Sequence, residues 1–190
     1  MQRNFILVAG ALLIFLSAMI GLVIVPMYIT QKATEPASMQ VSREVAIGHD
    51  VYIENGCIYC HSQQVRPKGF GADIERGWGR RGSMPEDYNN LTPHVLGTMR
   101  TGPDLANIGQ RQPSADWHYI HLYNPRAVVP GSVMPRYPWL FEVVDQDAGQ
   151  KEGIQLPPDY QIPGKKVIPT DRGEALVEYL LSLKQEKIEQ

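Results

Sequence analysis

Residues 57–61, Cys57-Ile58-Tyr59-Cys60-His61 (CIYCH), hold both cysteines of a 190-residue chain and one of its five histidines. Two thiols at this spacing fit three chemistries: a redox disulfide, half of a zinc site or, with a histidine directly behind, covalent attachment of a c-type haem. Each makes its own demand on the rest of the sequence. Structural zinc wants four ligands, and without a second cysteine pair it would have to recruit distant imidazoles such as His118 and His121. A thioredoxin-like pair belongs in a strand-helix-strand pattern, which does not surround Cys57. Haem accounts for all three residues at once. Cys57 and Cys60 would bind its two vinyl groups, and His61 would then face the iron.

The surroundings of this motif divide sharply. With a formal net charge of -2, a pI near 6.2 and 43% hydrophobic residues, the chain is neither disordered nor a nucleic-acid binder by bulk charge. From Phe5 to Met27 there is no charged side chain. Such a run spans a hydrocarbon core about 30 Å thick, which takes roughly 20 helical residues. It exceeds the apolar region of a cleaved signal, about 7–15 residues, and no small-x-small cleavage pattern follows it. The expectation is an uncleaved anchor over residues 1–31, its amino terminus in the cytoplasm by the weak bias of Arg3, with Pro26 kinking or ending the helix. Gly10 and Gly21 offer close approach to another helix. A polar linker over 32–44 and one domain over 45–190 complete the organisation.

Within that domain, "EVAIGHDVYIENG" reads as a short amphipathic helix with Ile47, Val51 and Tyr52 on its apolar face and Asn55-Gly56 as its stop. "TDRGEALVEYLLSLKQEK" places Leu176, Tyr179, Leu180 and Leu183 on one face, with Asp171 and Glu174 as the expected N-terminal cap. The two helices are expected to cross near Gly48 and Tyr179, where a glycine lets backbones approach. Between them lies a Gly- and Pro-rich middle with few runs long enough for strands or helices. A flat apolar cofactor would give that middle something to fold around.

A second iron ligand has several sources: Met84, Met99 and Met134, or the imidazoles of His94, His118 and His121. A methionine opposite a histidine raises the reduction potential and makes an electron carrier. "PGSVMPRYPWL" favours Met134, in a Pro-flanked loop late enough to return over the far haem face, although a methionine also fills core gaps. "RTGPDLANIGQR" offers Arg100 or Arg111 to a haem propionate, the alternative being solvent-facing arginines. His118 and His121 read as hydrogen-bonded structural groups near the haem edge. Trp117, Tyr137 and Trp139 read as packing residues. Arg66, Lys68, Arg76, Arg80 and Arg81, opposed by Asp73 and Glu75, form either a docking patch for an acidic surface or a solvated loop. Residues 145–164 read as a surface insertion. No G-x-S-x-G, Walker loop or H-E-x-x-H is present, and no catalytic residue is assigned.

The segments "GHDVYIENGCIYCHSQQVRP", "RTGPDLANIGQR", "DWHYIHLYNPRAVVPGSVMPRYPWL" and "VIPTDRGEALVEYLLSLK" together resemble the monohaem membrane-anchored cytochrome c subunit, subunit II, of cbb3-type haem-copper oxidases, the CcoO or FixO family. Between Arg66 and Arg100 the chain departs from the family's usual segment. The resemblance implies a mostly α fold: a single N-terminal transmembrane helix plus a class I-like cytochrome c domain with long Gly/Pro-rich loops. It implies one covalent haem c on Cys57 and Cys60, with His61 proximal and Met134 distal. Electrons would arrive from a donor cytochrome c and pass to a catalytic haem-copper subunit, alongside other cytochrome c subunits. The soluble domain would face the periplasmic, outer side of the cytoplasmic membrane. The cytochrome c subunit of a nitric oxide reductase and a free-standing tethered electron shuttle are the alternative readings.

Overall fold

The structure, a computed structural model, describes residues 2–33, 41–88, 90–149 and 151–185. It divides into two compact units: residues 1–39 with 85–90, and residues 40–84 with 91–190. Most of the expected linker over 32–44 lies outside the described residues.

The first unit is built on an apolar helix, α1 (Gln2–Met19), a π-helical turn (Ile20–Ile24) and α2 (Val25–Ala33). Arg3–Thr30 is long and apolar enough to cross a membrane, and its side chains bury almost nothing against the protein. Of the two outcomes expected at Pro26, a kink or an end, the end does not occur: the helix continues to Ala33. Proline removes a backbone donor and crowds the carbonyl one turn earlier. The π turn directly before it, in which the Val25 amide donates to the Ile20 carbonyl, widens the backbone at that point and lets the helix run on.

In the second unit, α3 (Arg43–Glu54) starts where Ser42, in extended conformation, accepts the Val45 amide at 3.2 Å. It stops where the Asn55 side chain donates to the Val51 carbonyl at 2.7 Å and Gly56 turns left-handed at φ 69°. Its buried face is Gly48, His49, Val51 and Tyr52, with Ile47 at its margin and 38% exposed. α4 (Ile108–Arg111) and α5 (Ala115–Tyr123) come after the CIYCH stretch, α5 capped by Ser114 through the Trp117 amide.

Two strands that the sequence did not reveal, β1 (Phe141–Asp145) and β2 (Lys165–Pro169), pair antiparallel with Phe141 opposite Pro169 and Asp145 opposite Lys165. The insertion over 145–164 is therefore the loop of a hairpin, pinned at its neck by a Lys165–Asp145 ion pair of 2.6 Å. β2 leads into α6 (Asp171–Ser182). Its cap is Thr170, one residue earlier than expected: Thr170 is extended and its hydroxyl accepts the Gly173 amide at 3.2 Å. Asp171 already lies in the first turn, where it and Glu174 meet Lys151 at 3.6 and 2.8 Å.

α3 and α6 form the principal helix pair, and Gly48 sits at their crossing. A Cβ there would run into the Ala175 carbonyl and stand 2.6 Å from the Tyr179 Cβ. The close approach puts Tyr179 edge-on to both His49 and Tyr52, at 5.4 and 5.5 Å between ring centroids. Leu176, Val177 and Leu180 of α6 join Val51, Ile108, Leu122, Leu140 and Phe141 in one core. A Gly48→Val substitution is expected to force the helices apart and cost about 3 kcal/mol, the upper range for overpacking. Denaturant unfolding of the variant measures it, and an unchanged midpoint would refute the crossing.

Candidate functional site

The motif CIYCH begins at the end of α3. After Gly56 the chain makes a single 3-10 turn over Cys57–Tyr59, and the Cys57 carbonyl accepts both the Cys60 amide, at 3.1 Å, and the His61 amide, at 3.0 Å. Both cysteines are free thiols, Cys57 buried and Cys60 exposed. Burial pushes the Cys57 thiol up to about 12. It is therefore a neutral, apolar group, unlike the activated thiolate of a redox pair. Among the described residues, no three His, Cys, Asp or Glu side chains converge as a metal cage, so the zinc reading lacks its remaining ligands.

His61 is oriented by a segment 42 positions downstream. Its Nδ1 lies 2.7 Å from the Pro103 carbonyl, an acceptor, so Nδ1 carries the proton and donates it. Burial holds this imidazole below the ordinary histidine value, which leaves the ring neutral near pH 7. A neutral ring protonated at Nδ1 presents a bare lone pair at Nε2. That is the arrangement in which metal-binding histidines are found, with the second nitrogen fixed by a carbonyl or carboxylate. Gly102 completes the seat, because a Cβ at that position would come within 2.7 Å of both ring nitrogens.

The register that delivers Pro103 to His61 is held by Asp104, which is fully buried. Its carboxylate accepts the Ser62 hydroxyl at 2.7 Å, the Gln64 amide at 2.7 Å and the Ala106 amide at 2.9 Å. The Gly102 amide donates to Cys60 and the Leu105 amide to Ser62, at 2.9 and 2.7 Å. The haem-box chain and the segment "TGPDLA" are thus zipped together on either side of His61.

The two arginines proposed from sequence have different surroundings. Arg100 spends its donors inside the protein: Nε on Ser62, Nη1 and Nη2 on Asp73 at 2.7 and 2.8 Å, and Nη2 also on the Gln64 carbonyl. Its guanidinium lies over the Trp78 ring at 5.1 Å. Arg111 is the one with capacity to spare. Its Nη2 donates to the Asp104 carbonyl, while its Nε is buried without a partner. It lies close enough to His61 for its charge to help keep that ring neutral. A buried guanidinium nitrogen with no acceptor, beside an iron-ready imidazole, fits a carboxylate brought in by a cofactor.

Of the methionines downstream of the motif, Met84 and Met99 are 41% and 56% exposed, whereas Met134 packs against the core. Its loop is stitched to the end of α5, the Tyr137 amide donating to Leu122 at 3.0 Å and the Arg136 Nε to Tyr123 at 3.2 Å. His118 is buried with Nε2 on the Gln112 carbonyl at 2.9 Å. His121 stacks on Trp117, ring centroids 4.6 Å apart and planes 13° from parallel. Tyr137 is core, whereas Trp139 is 62% exposed and donates its Nε1 to Asn55 at 2.8 Å, beside the Cys57 turn. The residues present therefore suit a haem: two thiols on one turn, a neutral Nε2 donor and a buried unsatisfied guanidinium.

Sequence reasoning missed Asp73, which reads as a surface countercharge. It is 1% exposed and takes Arg100 together with the Arg66 amide. Burial works to raise its carboxyl, and the Arg100 hydrogen bonds and the Arg66 amide more than offset this, so its pKa lies below the ordinary 3.8. Because the folded value is depressed, the stability from this pair is complete above the ordinary carboxylate value and is lost as pH falls through the folded one. Asp73→Asn is expected to cost about 3 kcal/mol near neutral pH, by removing the nearer of the two carboxylates beside Arg100 and leaving it only Asp104 at 3.6 Å, and to flatten the acid limb of a stability-pH curve. Urea unfolding between pH 7 and pH 2 checks both effects.

Comparison with curated proteins gives no match. The family model described as "Cytochrome C oxidase, mono-heme subunit/FixO" matches residues 1–163. That span covers the apolar helix, the CIYCH turn, the Pro103 segment, α5 and the Met134 loop, so the chain belongs to the FixO family of mono-haem cytochrome c oxidase subunits.

Proposed function

We propose that the chain is the membrane-anchored relay subunit of a cbb3-type terminal oxidase, accepting electrons from a donor cytochrome c and passing them to the catalytic haem-copper subunit. One haem c would be held through Cys57 and Cys60, with His61 and Met134 as the ligands to its iron. The observation that carries this reading is the Nδ1–H bond from His61 to the Pro103 carbonyl, which frees a neutral Nε2 immediately behind the two thiols. When bound, the haem supplies a one-electron iron couple.

The chain's own residues do the rest. Gly102, Pro103 and Asp104 hold the His61 ring in one orientation, so that little reorganisation accompanies a change of charge nearby. Met134, anchored through α5, gives a soft thioether ligand that favours the reduced state. Arg111, whose Nε is buried without a partner, would donate to a propionate of the haem. Arg100 is an internal tether between Ser62, Gln64 and Asp73 in this scheme. The apolar helix fixes the chain in the cytoplasmic membrane, with the haem-binding unit on the outer, periplasmic side where c-type haem is attached.

Expressed in a host that matures c-type cytochromes, the full chain should carry the mass of one haem through denaturation. Cys57→Ser with Cys60→Ser should abolish that mass. Met134→Ala should lower the reduction potential and remove the absorption arising from sulfur bound to ferric iron. Arg111→Gln should also lower the potential, because a buried cation favours the reduced, less positive centre; a spectroelectrochemical titration reads both. The purified complex should reduce oxygen, and one that reduces nitric oxide in its place would overturn the terminal acceptor.

A further inference from the structure

Five histidines are present, and four of them rest a ring nitrogen on a backbone carbonyl. His49 is bonded to Pro93, His61 to Pro103, His94 to Leu91 and His118 to Gln112, at 2.7 to 3.1 Å. His121 is the exception. Its Nδ1 is buried and has no hydrogen-bond partner, a state that costs about 1–3 kcal/mol unless something satisfies it.

The position of this imidazole is set by α5. The Ser114 cap fixes the helix phase, and Trp117, one turn before His121, stacks on its ring and limits its rotation. The Met134 loop is bonded to the next two residues of the same helix, Leu122 and Tyr123. His121 also lies within electrostatic reach of His61. Burial first, then the neighbouring His61 and His118, push it down to about 4, so it is a neutral ring with an available lone pair at physiological pH.

We infer that His121 is a reserve ligand for the haem iron, held in the wall that carries Met134 and able to take the distal position when the methionine leaves it. The inference rests on the proposed haem ligation by His61 and Met134. The exchange is balanced without a redox partner: a thioether lone pair leaves the iron, an imidazole lone pair replaces it, and a neutral ring releases no proton. Its unpartnered Nδ1 is the atom that would bind, and His121 is second choice because its ring is held by the Trp117 stack, whereas the Met134 loop is pinned to Leu122 and Tyr123 by hydrogen bonds. Replacing methionine by histidine lowers the reduction potential, so the exchange would detune the relay without vacating the iron.

The test uses the full-length, haem-loaded protein. Met134→Ala should keep a six-coordinate, low-spin iron with the electron paramagnetic resonance signature of two imidazoles, and its reduced form should resist carbon monoxide. Adding His121→Phe, which preserves the stack on Trp117, should convert it to a high-spin iron that binds carbon monoxide. His121→Gln in the same background should behave alike, which guards against a folding defect of either variant. A Met134→Ala protein that is already high-spin overturns the inference, as does one whose low-spin signature survives loss of His121. Absence of covalent haem from the unmutated chain is a separate result, and it would remove the haem reading on which the inference stands.

Discussion

A single buried carboxylate organises the site. Asp104 accepts hydrogen bonds from Ser62, Gln64 and Ala106, while its own backbone carbonyl takes Arg111. Through these contacts two segments about forty residues apart in sequence become neighbours in register, a long-range pairing whose loop-closure entropy must be repaid by the bonds it makes. His61 is oriented only because Pro103 stands opposite it, and Pro103 stands there because Asp104 is anchored one residue later. Both oxygens of the fully buried carboxylate are thereby satisfied, one by Ser62 and Gln64 and the other by Ala106.

The second organising contact is the approach of α3 to α6, and it connects to the first. Tyr179, brought in by the glycine at the crossing, donates its hydroxyl to the Gln63 side chain at 3.0 Å, between Ser62 and Gln64. The family match ends at residue 163, yet α6 beyond it supplies much of the core that supports the haem-box turn. The segment that departs from the resembled pattern is tied in as well: Asp73 holds it to Arg100, and Gln185, just past α6, accepts the Arg80 amide at 3.0 Å and donates to the Arg81 carbonyl at 3.2 Å.

What the sequence made legible was local or rested on a rigid spacing. The apolar run, the C-x-x-C-H box, the 3.6-residue periodicity of α3 and α6 and the demand for a glycine at their crossing all follow from short-range pattern. The cap at Thr170 was misread by one position because Asp171 and Glu174 imitate a capping box, while the residue that sits in extended conformation precedes them. β1 and β2 escaped notice because five-residue strands give too short a period, and β1 turns only Phe141 fully inward. The division of labour between Arg100 and Arg111 was invisible for another reason. It depends on Asp73, whose burial is decided by tertiary packing and not by its neighbours in a charged stretch.

The π turn in the apolar helix has its own geometrical outcome. Successive α-helical residues are set about 100° apart around the axis, and a π turn inserts about one residue beyond the regular repeat. Side chains after Ile24 are therefore rotated by roughly that angle relative to the stripe running up from Arg3. A neighbouring helix that follows one seam along the lower half would find a different seam above it. Packing along the whole of this helix therefore takes two differently oriented apolar stripes, one on each side of the π turn.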